Sequence, residues 1–401
     1  MTKQYIKGYK FRIYPNKKQM RFLANQFGCS RYVYNYMLEW HDKVYKEEKR
    51  CLHLKEMNAM LPVLKKQEKT KWLGEVIAQS LQMSLKDLDT AFNRYFKKVS
   101  ERPTFKSKHD RQCFKIPQNF KFKDGKIKLP KLNSWIKVHV SREIEGKILY
   151  MHISKTPTDK YYVSLTVAGT NKIFEKTGKQ VGLDLGIKDA VILSDGTIYK
   201  NIKALKSLEK KLAYEQRQLS KKKKGSNSRQ RRRKKVALLH ERIVNVRKDF
   251  ISKITTEIVK NHDMLCAENL AVANLIKNHK LAKSLADVSL GRIRTELRYK
   301  CAWHDRVYIE IDRYYPSSKT CSACGWIKQD LTLADRSWTC QGCGAHHDRD
   351  INAAKNILAE GLKIISGCGT QSEDKNKQVE ASSLEESVKP DEPKGEVLGK
   401  V

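Results

Sequence analysis

The sequence predicts a multidomain α+β protein. Three observations support this fold class: helical periodicity within the first hundred residues, short alternating β-like runs between residues 104 and 167, and a later region in which short apolar strands alternate with long helices. With 401 residues, the chain has room for two or three domains and a substantial core. It therefore does not need a metal ion merely to fold.

The N-terminal region begins with a predicted strand. Residues 4–14 (QYIKGYKFRIY) alternate with period two and end at a Pro-Asn turn. Helical periodicity follows in three blocks, at about residues 17–40, 51–60 and 71–98. We interpret their apolar stripes as the core of a small bundle, from which the polar Gln79 and Gln82 could project into a groove.

A β-rich segment follows Pro103, where the bundle is predicted to end. Residues 104–167 contain short β-like runs separated by Gly, Pro, Asp and Lys, a pattern typical of a small barrel or sandwich. We expect the strand at residues 4–14 to join this sheet, which makes the helical block an insertion in it. Residues 169–179 predict a polar linker.

The run VGLDLGIKD, at residues 181–189, opens the next domain as a predicted strand. Val181, Leu183 and Leu185 share one face, and Asp184 lies between two glycines on the other. A lone carboxylate between glycines on an exposed strand face leaves space for an ion and a bulky substrate. The next ten residues predict a strand, a tight turn and a strand, so this acid heads a hairpin-rich sheet.

A strongly basic run follows a helix predicted at residues 202–218. Residues 221–235 (KKKKGSNSRQRRRKK) hold ten basic residues in fifteen. We interpret them as a solvated loop that contacts nucleic acid, because such charges repel one another unless a polyanion neutralises them. A long helix is predicted at residues 236–260, with Arg247 pointing away from its apolar stripe. The candidate nucleic-acid contacts here are Arg231, Arg232, Arg233 and Arg247.

The composition indicates a polyanionic partner. Lys and Arg outnumber Asp and Glu by 81 to 44, a formal charge of +37, which favours nucleic acid over an acidic membrane surface. No apolar run approaches a membrane span, and the N-terminus lacks an apolar signal segment. We therefore expect a cytoplasmic protein, associated with the nucleoid when it binds DNA. The segment 371–401, with eight acidic and five basic residues, is predicted to be disordered.

Two CxxC pairs predict a structural zinc site. Cys321 and Cys324 are followed, after fifteen residues, by Cys340 and Cys343, a spacing typical of a tetrahedral thiolate site. A glycine just after each pair permits the tight turn. The other six cysteines have no paired spacing, and we interpret most of them as small apolar residues.

Three acids stand where predicted strands or helices begin or end. Asp184 lies on the first strand of the second domain, Glu268 ends a strand at 264–267, and Asp350 opens a helix. Singly, these residues could be a turn former, a surface carboxylate and a helix N-cap. Together they match the way a ribonuclease-H-like fold assembles oxygen ligands for two Mg²⁺ ions that hydrolyse phosphodiesters. Divalent metal is also the simplest answer to their mutual repulsion.

Several motifs resemble one family. VGLDLGIKDA, LCAENL and the stretch that begins YPSSKTCSACG and ends TCQGCGAHHDRDINAAKNI are similar, in content and order, to TnpB. TnpB is the transposon-encoded RNA-guided endonuclease related to the type V CRISPR effectors. The opening YKFRIYPNKKQ and the RPTFKSK at 102–108 agree with it. The resemblance extends from about residue 4 to 362; the family often has an aromatic residue where Leu290 and Ile293 stand.

The resemblance implies a fold in finer detail. A RuvC-like (ribonuclease-H-like) nuclease domain with a zinc-ribbon insertion is preceded by a wedge β-barrel, into which a helical recognition bundle is inserted. The implied boundaries are 1–16 and 101–170 for the wedge, 17–100 for the helical domain, 178–316 and 347–366 for the nuclease, 317–346 for the zinc module and 367–401 for a disordered tail.

The resemblance also implies the roles of residues. The catalytic acids and Mg²⁺ ligands are Asp184 in GLDLG, Glu268 in AENL and Asp350, the second acid of DRDINAA, with Asp348 as the fallback. The zinc ligands are the four cysteines of the CxxC pairs. His346 and His347 could replace a ligand, but four thiolates already complete the shell. Basic residues that could hold the strand being cut are Lys319, Lys328, Arg336 and Arg349. Gln79 and Gln82 are candidate readers of a DNA motif.

The implied partners are a guide RNA from the transposon end and double-stranded target DNA beside a short motif, with one protein per guide RNA and one active site for both strands. Three alternatives stay open. A nuclease-inactive RNA-guided repressor would need a lost acid, although all three acids are present. A guide-free DDE-type transposase would share the scaffold but not this spacing of acids. A structural zinc-ribbon protein would leave the acids unexplained.

Overall fold

The computed structural model describes residues 4–170, 173–332 and 334–367. The chain divides into two compact units, Met1–Thr170 and Asn171–Val401. Within the described residues, no helix is long and apolar enough to cross a membrane. The tail predicted to be disordered lies outside the described residues, apart from Gly367, the last residue of a helix.

The first unit consists of a helical block and a sheet. Its elements are β1 (Gln4–Tyr14), α1 (Lys17–Glu48), α2 (Leu54–Lys66), a 3-10 helix (Glu68–Gly74), α3 (Ala78–Phe96), β2 (Gln112–Ile116), β3 (Lys121–Lys123), β4 (Lys126–Lys128), β5 (Ile136–His139), β6 (Lys147–Lys155) and β7 (Tyr161–Thr170). The strands form one sheet in the order β2-β6-β7-β1-β5-β4-β3. Because β1 pairs antiparallel with both β5 and β7, the prediction that the first strand joins this sheet is confirmed.

The helices of this unit differ from the prediction in their bounds. α1 begins at Lys17 as predicted, because Asn16 and Gln19 form a capping box, but it continues to Glu48. The block predicted at 71–98 is a 3-10 helix followed by α3, which begins only at Ala78 because Ile77 has extended backbone angles. Val76 and Ile77 are buried but not helical. Their apolar side chains fit the helical spacing, which is why the sequence pattern placed them in the helix.

The second unit holds a mixed sheet between layers of helices. Its elements are β8 (Gln180–Asp184), β9 (Asp189–Leu193), β10 (Ile198–Lys200), α4 (Ala204–Ser220), α5 (Asn227–Asn261), β11 (Met264–Glu268), α6 (Val272–Leu275), α7 (His279–Val288), α8 (Leu290–Trp303), β12 (Val307–Ile311), β13 (Ser337–Thr339), β14 (His346–Asp348) and α9 (Arg349–Gly367). The sheet order is β10-β9-β8-β11-β12. β8, β11 and β12 are parallel, whereas β9 and β10 form the predicted hairpin with β8.

Both faces of this sheet are covered by helices. On one face, Val181 and Leu183 pack in a cluster with Ile254 and Ile258 of α5 and Ile293 of α8. On the other face, residues of β11 and β12 pack against α9. The prediction that the Asp184 face of the first strand is exposed is therefore wrong along most of its length, since α9 lies over it.

Gly182 shows why glycine occurs on this strand. A Cβ atom at Gly182 would lie 2.0 Å from the carbonyl oxygen of Ala354 and 2.8 Å from the amide nitrogen of Leu358. No side chain fits at that distance, so glycine is required for α9 to approach β8. The glycine serves the packing of the helix rather than the entry of a substrate, and it determines how closely the start of α9 lies to the end of β8.

The basic run is only partly a loop. α5 begins at Asn227, inside the run, because the side chain of Ser226 accepts a hydrogen bond from the amide of Arg229. The Arg229 guanidinium donates to the carbonyls of Leu219 and Lys222 at the end of α4. The prediction that the helix begins at residue 236 is therefore wrong. The prediction of a solvated loop is therefore wrong for the second half of the run, where side-chain caps stabilise the start of α5 and the end of α4.

Candidate catalytic and metal centre

Asp184 and Glu268 lie side by side at one end of the sheet. β8 and β11 are parallel neighbours, and Leu183 is paired with Ala267 in their register. The next residue on each strand is Asp184 and Glu268, so the two carboxylates occur at the same carboxyl-terminal edge. Asp184 is the last residue of β8 and Glu268 is the last residue of β11.

Asp350 reaches this edge from the first turn of α9. The helix begins at Arg349 and packs on β8 through Ala354, one turn after Asp350. The carboxylate of Asp348 accepts hydrogen bonds from the amides of Asp350 and Ile351, both at 3.0 Å. Asp348 is thus the N-cap of the helix. The alternative that Asp350 is merely the N-cap is therefore wrong. Asp348, the alternative candidate for the third catalytic acid, caps the helix instead.

The electrostatics of Asp184 show that the charges of the other two acids act on it. Burial, followed by the negative charges of Glu268 and Asp350, raises the pKa of Asp184 from 3.8 to about 7, against an opposing effect of Arg349. A carboxyl group with this pKa needs a positive charge beside it in order to ionise fully at neutral pH. The arrangement therefore has an electrostatic demand for cations, as a site for divalent metal must.

Each of the other two acids has partners within the protein. The Glu268 carboxylate accepts a hydrogen bond from the hydroxyl of Ser317 at 2.5 Å. The Asp350 carboxylate lies 3.0 Å from the guanidinium of Arg349 and 3.7 Å from that of Arg336. The contact of Glu268 involves only one of its two oxygen atoms, whereas each oxygen of Asp350 faces a guanidinium group. Oxygen is the donor that Mg²⁺ prefers. The donor set therefore fits Mg²⁺.

The four cysteines of the two CxxC pairs form a compact cluster. Their sulfur atoms all lie within 4.8 Å of one another, and in the part of the chain that the structure describes they are the one such group of three or more His, Cys, Asp or Glu side chains. Positive φ angles of 80° and 75° at Gly325 and Gly344 allow the turn after each pair. Four thiolates at these positions fit a closed structural zinc site.

The histidines near the cluster are not needed as ligands. His347 lies with its Nε2 atom 3.0 Å from the sulfur of Cys321, and its ring is packed against Trp338. The ring nitrogen can thus donate to a thiolate that binds metal, as an outer partner of the site. His347 belongs to β14, the second strand of the ribbon, so the implied boundary between residues 346 and 347 cuts through a strand.

Several of the predicted nucleic-acid contacts are engaged within the chain. Arg232 pairs with Glu215 at 2.8 Å, Arg247 pairs with Asp287 at 2.9 Å, and Arg349 pairs with Asp350. Arg247 therefore does not point away from the core as predicted. Lys319 donates to a backbone carbonyl, Arg231, Arg233 and Gln82 are exposed, and Gln79 is half-buried. Contact with nucleic acid stays a prediction for all of them.

Sequence reasoning missed three polar residues of the site. Ser317 contacts Glu268 directly, and the buried Asn352 and Asn356 on α9 bind the backbone of the segment that leads into the zinc ribbon. The two asparagines are four residues apart, on the buried face of a helix that is otherwise lined with Ala and Ile. A pair of amides with that spacing on an apolar face is a detectable signal, because buried amides need partners.

Comparison with known proteins identifies similar regions and similar chains. Residues 164–279 match the OrfB_IS605 family, described as "Probable transposase", residues 291–357 match "Cas12f1-like, TNB domain", and residues 1–50 match its helix-turn-helix domain, HTH_OrfB_IS605. The chain is 38% identical over 373 residues to a "Putative RNA-guided DNA endonuclease" of Streptomyces pristinaespiralis, covering 92% of each chain. It is 31% identical to "Putative RNA-guided DNA endonuclease InsQ" of Escherichia coli (strain K12), covering 91% of this chain and 94% of that one.

A solved structure resembles the fold. The chain superposes with a TM-score of 0.56 and 14% identity on a protein chain of "Cryo-EM structure of the Cas12f1-sgRNA-target DNA complex", covering 88% of this chain and 99% of that one. At this identity the likeness concerns the fold alone.

Proposed function

The chain belongs to the TnpB family, and we propose that it is an RNA-guided DNA endonuclease of an insertion sequence that cuts phosphodiester bonds at Asp184, Glu268 and Asp350. One observation carries the assignment of the site: the pKa of Asp184 is raised to about 7 by burial and by the charges of the other two acids. We infer that the three carboxylates, from two strand ends and one helix, face one site, although their oxygen atoms do not all lie within the 4.8 Å that joins the sulfur atoms of the four cysteines. Such clusters are typical of catalytic metal sites.

The same arrangement supports a RuvC-like, ribonuclease-H-like nuclease domain. The first acid ends β8, the second ends the adjacent parallel strand β11, and the third opens α9, which packs across both strands. The zinc ribbon lies in the chain between β12 and α9, so it interrupts the domain in sequence. In the first unit, the sheet with an inserted helical block supports the wedge and recognition assignments that the family implies.

The acids fit two Mg²⁺ ions held jointly by Asp184, Glu268 and Asp350. When bound, two such ions activate a water molecule and stabilise the departing 3′ oxygen. In a two-ion site the metals are about 3.5–4 Å apart, so the carboxylates need not be as close together as the zinc thiolates are. The chain itself supplies the geometry: the register of β8 and β11 fixes two acids, and the close packing of α9 on Gly182 fixes the third.

Basic residues around the acids are suited to hold the strand being cut. Arg336 and Arg349 lie beside the Asp350 carboxylate. Binding of cations to that carboxylate would weaken both pairs, because the metal would take over the neutralisation of the acid. Guanidinium groups bind phosphate oxygens in the same fork geometry as carboxylates, so both arginines are placed to contact a DNA strand at the acids. Lys319 and Lys328 extend this basic surface along the ribbon.

The partners follow from the family and the charge. A guide RNA and double-stranded target DNA would neutralise much of the excess of Lys and Arg. Base pairing with the guide would select the target, and the first unit, with Gln79 and Gln82 on α3, would read a short adjacent motif. We propose one protein per guide RNA and a cytoplasmic location. Zinc at the four cysteines would stiffen the ribbon and take no part in the chemistry.

The test is a guided cleavage assay with matched variants. The protein is purified from cells that hold its native locus, its bound RNA is sequenced, and the complex is incubated with Mg²⁺ and a plasmid library carrying the target. We expect guide-dependent linear product. Asp184→Ala and Asp350→Asn should lower the rate more than about 100-fold, beyond the 10–100-fold that loss of an outer-shell partner costs.

Asp348→Asn is the matched control, because asparagine is also a good N-cap and the acid lies two residues from Asp350. It should cut within a few-fold of the wild type. Cleavage that survives Asp350→Asn but not Asp348→Asn would transfer the third catalytic position to Asp348. RNA-bound protein that holds DNA without cutting it would support the repressor, and strand joining without RNA would support the transposase.

A further inference from the structure

Ser317 connects a proposed catalytic acid to the zinc ribbon. Its side chain is buried, with 5% of its surface exposed, and its hydroxyl donates to one carboxylate oxygen of Glu268 at 2.5 Å. A hydrogen bond from a hydroxyl to an ionised carboxylate is charge-assisted and therefore stronger than one between neutral groups. Ser317 lies four residues before Cys321, the first cysteine of the thiolate cluster.

The backbone of Ser317 is fixed from the other side by α9. The side-chain amide of Asn356 donates to the carbonyl of Ser317 at 2.8 Å and to that of Thr320 at 2.6 Å. Asn352 donates to the same Thr320 carbonyl at 2.7 Å and accepts from the amide of Ser322 at 2.9 Å. Both asparagines are buried. The segment from Ser317 to Ser322 is therefore clamped to the helix that carries Asp350.

We propose that Ser317 is a positioning residue for Glu268, and that it joins the zinc ribbon and the three acids into one mechanical unit. The inference rests on the proposed function of Glu268 as a metal ligand. A glutamate side chain has three rotatable torsions, and a hydrogen bond to one oxygen holds it in one rotamer while the second oxygen remains available to a cation. The clamp on α9 keeps Glu268 in register with Asp350, although the two acids are 82 residues apart in the chain.

The effect should appear in metal affinity before it appears in fold stability. Loss of an outer-shell partner typically costs 10–100-fold in metal affinity or activity. A merely structural hydroxyl would instead lower the thermal midpoint, the zinc content or the binding of DNA. These quantities can be measured separately from cleavage, so the two roles are distinguishable.

The experiment measures Mn²⁺ binding by electron paramagnetic resonance on the full chain with its guide RNA. The Glu268→Gln complex serves as the blank, because Mn²⁺ that it still binds belongs to the RNA or to other sites. Ser317→Ala is expected to weaken the Glu268-dependent Mn²⁺ binding by about 10–100-fold, with unchanged zinc content and unchanged guide-dependent DNA binding without divalent metal. Ser317→Thr, which keeps the hydroxyl, should bind as the wild type does.

Ser318→Ala is the matched control, since it makes the same change one residue away on a half-buried side chain. It should bind Mn²⁺ as the wild type does. Wild-type Mn²⁺ affinity in Ser317→Ala would overturn the positioning role, and so would loss of zinc or of DNA binding in that variant. If Glu268→Gln itself cuts DNA and binds Mn²⁺ like the wild type, the proposed site fails, whatever Ser317 does.

Discussion

Replacement of Asp184 by Asn tests whether the ionised Asp184 carboxylate destabilises the folded chain when no divalent metal is added. The folded-state pKa of Asp184 is about 7, raised from 3.8 by burial and by the charges of Glu268 and Asp350. A folded pKa above the unfolded one means that the folded state binds more protons, so stability is lost as the pH rises through this window. At 1.36 kcal/mol per pKa unit, the cost is about 2 kcal/mol at about pH 5 and about 4 kcal/mol at about pH 8.

Asp184→Asn removes the titrating charge and should recover this free energy. In Mg²⁺-free buffer at high salt, the variant is expected to be more stable than the wild type by about 4 kcal/mol at about pH 8 and by about half as much at about pH 5. Hydrogen exchange of the amides in β8 and β11 measures the opening free energy of the unit that contains them. Saturating Mg²⁺ should stabilise the wild type and leave the variant unchanged, because ligands stabilise the state that binds them.

Asp195→Asn, in the turn between β9 and β10, is the control of opposite sign. Burial acts to raise the pKa of Asp195, but hydrogen bonds from Thr197 and the charge of His262 outweigh it, and the pKa is lowered. Such a group adds stability above its unfolded pKa, so its removal should destabilise the unit at neutral pH. If Asp184→Asn also destabilises the chain, or if its gain does not change with pH, the raised pKa of Asp184 is refuted.

Three further outcomes are expected. Cys340→Ser should contain less zinc by metal analysis, and the amides of its ribbon should lose protection from hydrogen exchange. Cleavage at the wild-type rate by zinc-free protein would contradict this role of zinc. Gly182→Val should separate α9 from β8, because its Cβ would lie 2.0 Å from the Ala354 carbonyl oxygen, and the rate of cleavage should fall steeply. Gly291→Ala is the control: its Cβ would meet nothing closer than 3.9 Å, so cleavage should be unchanged. Burial and the charges of Lys115 and Arg111 lower the pKa of His152 to about 4. The free energy of unfolding of the first unit, measured with urea, should therefore fall by about 2 kcal/mol between about pH 7.5 and about pH 5. His152→Gln should make this free energy nearly independent of pH over that range.

Some features of the site could be predicted because they depend on local pattern. The alternation in VGLDLG identified the faces of β8, and the ends of β8 and β11 followed from where apolar runs stop. Neighbouring parallel strands end at the same edge of a sheet. The prediction that Asp184 and Glu268 lie close together therefore required only that their strands belong to one sheet. The two CxxC pairs were equally easy to recognise in the sequence, because each pair is followed by a glycine whose positive φ angle permits the tight turn.

Other features depend on partners that are distant in the chain. The face of β8 that carries Gly182 looked open because nothing near it in sequence reveals that α9 covers it. The basic run looked like a loop because repulsion between neighbouring charges is local, whereas its helical half is stabilised by caps and pairs with α4. Ser317 was not distinguishable from an ordinary loop serine, because its partner Glu268 is 49 residues away.

The internal ion pairs also sharpen the argument from net charge. Each pair uses one basic and one acidic residue, so pairs such as Arg247 with Asp287 cannot reduce the excess of 37 positive charges. If every acid were paired with one basic residue, 37 basic residues would still have no acidic partner, and each acid that binds divalent metal would add one more. A bound RNA would neutralise this excess positive charge, and binding is favoured because each neutralised phosphate also releases counterions. In the proposed function the acids and the basic residues are complementary: the carboxylates would bind metal at the sheet edge, and the excess of Lys and Arg would attract the phosphates to it.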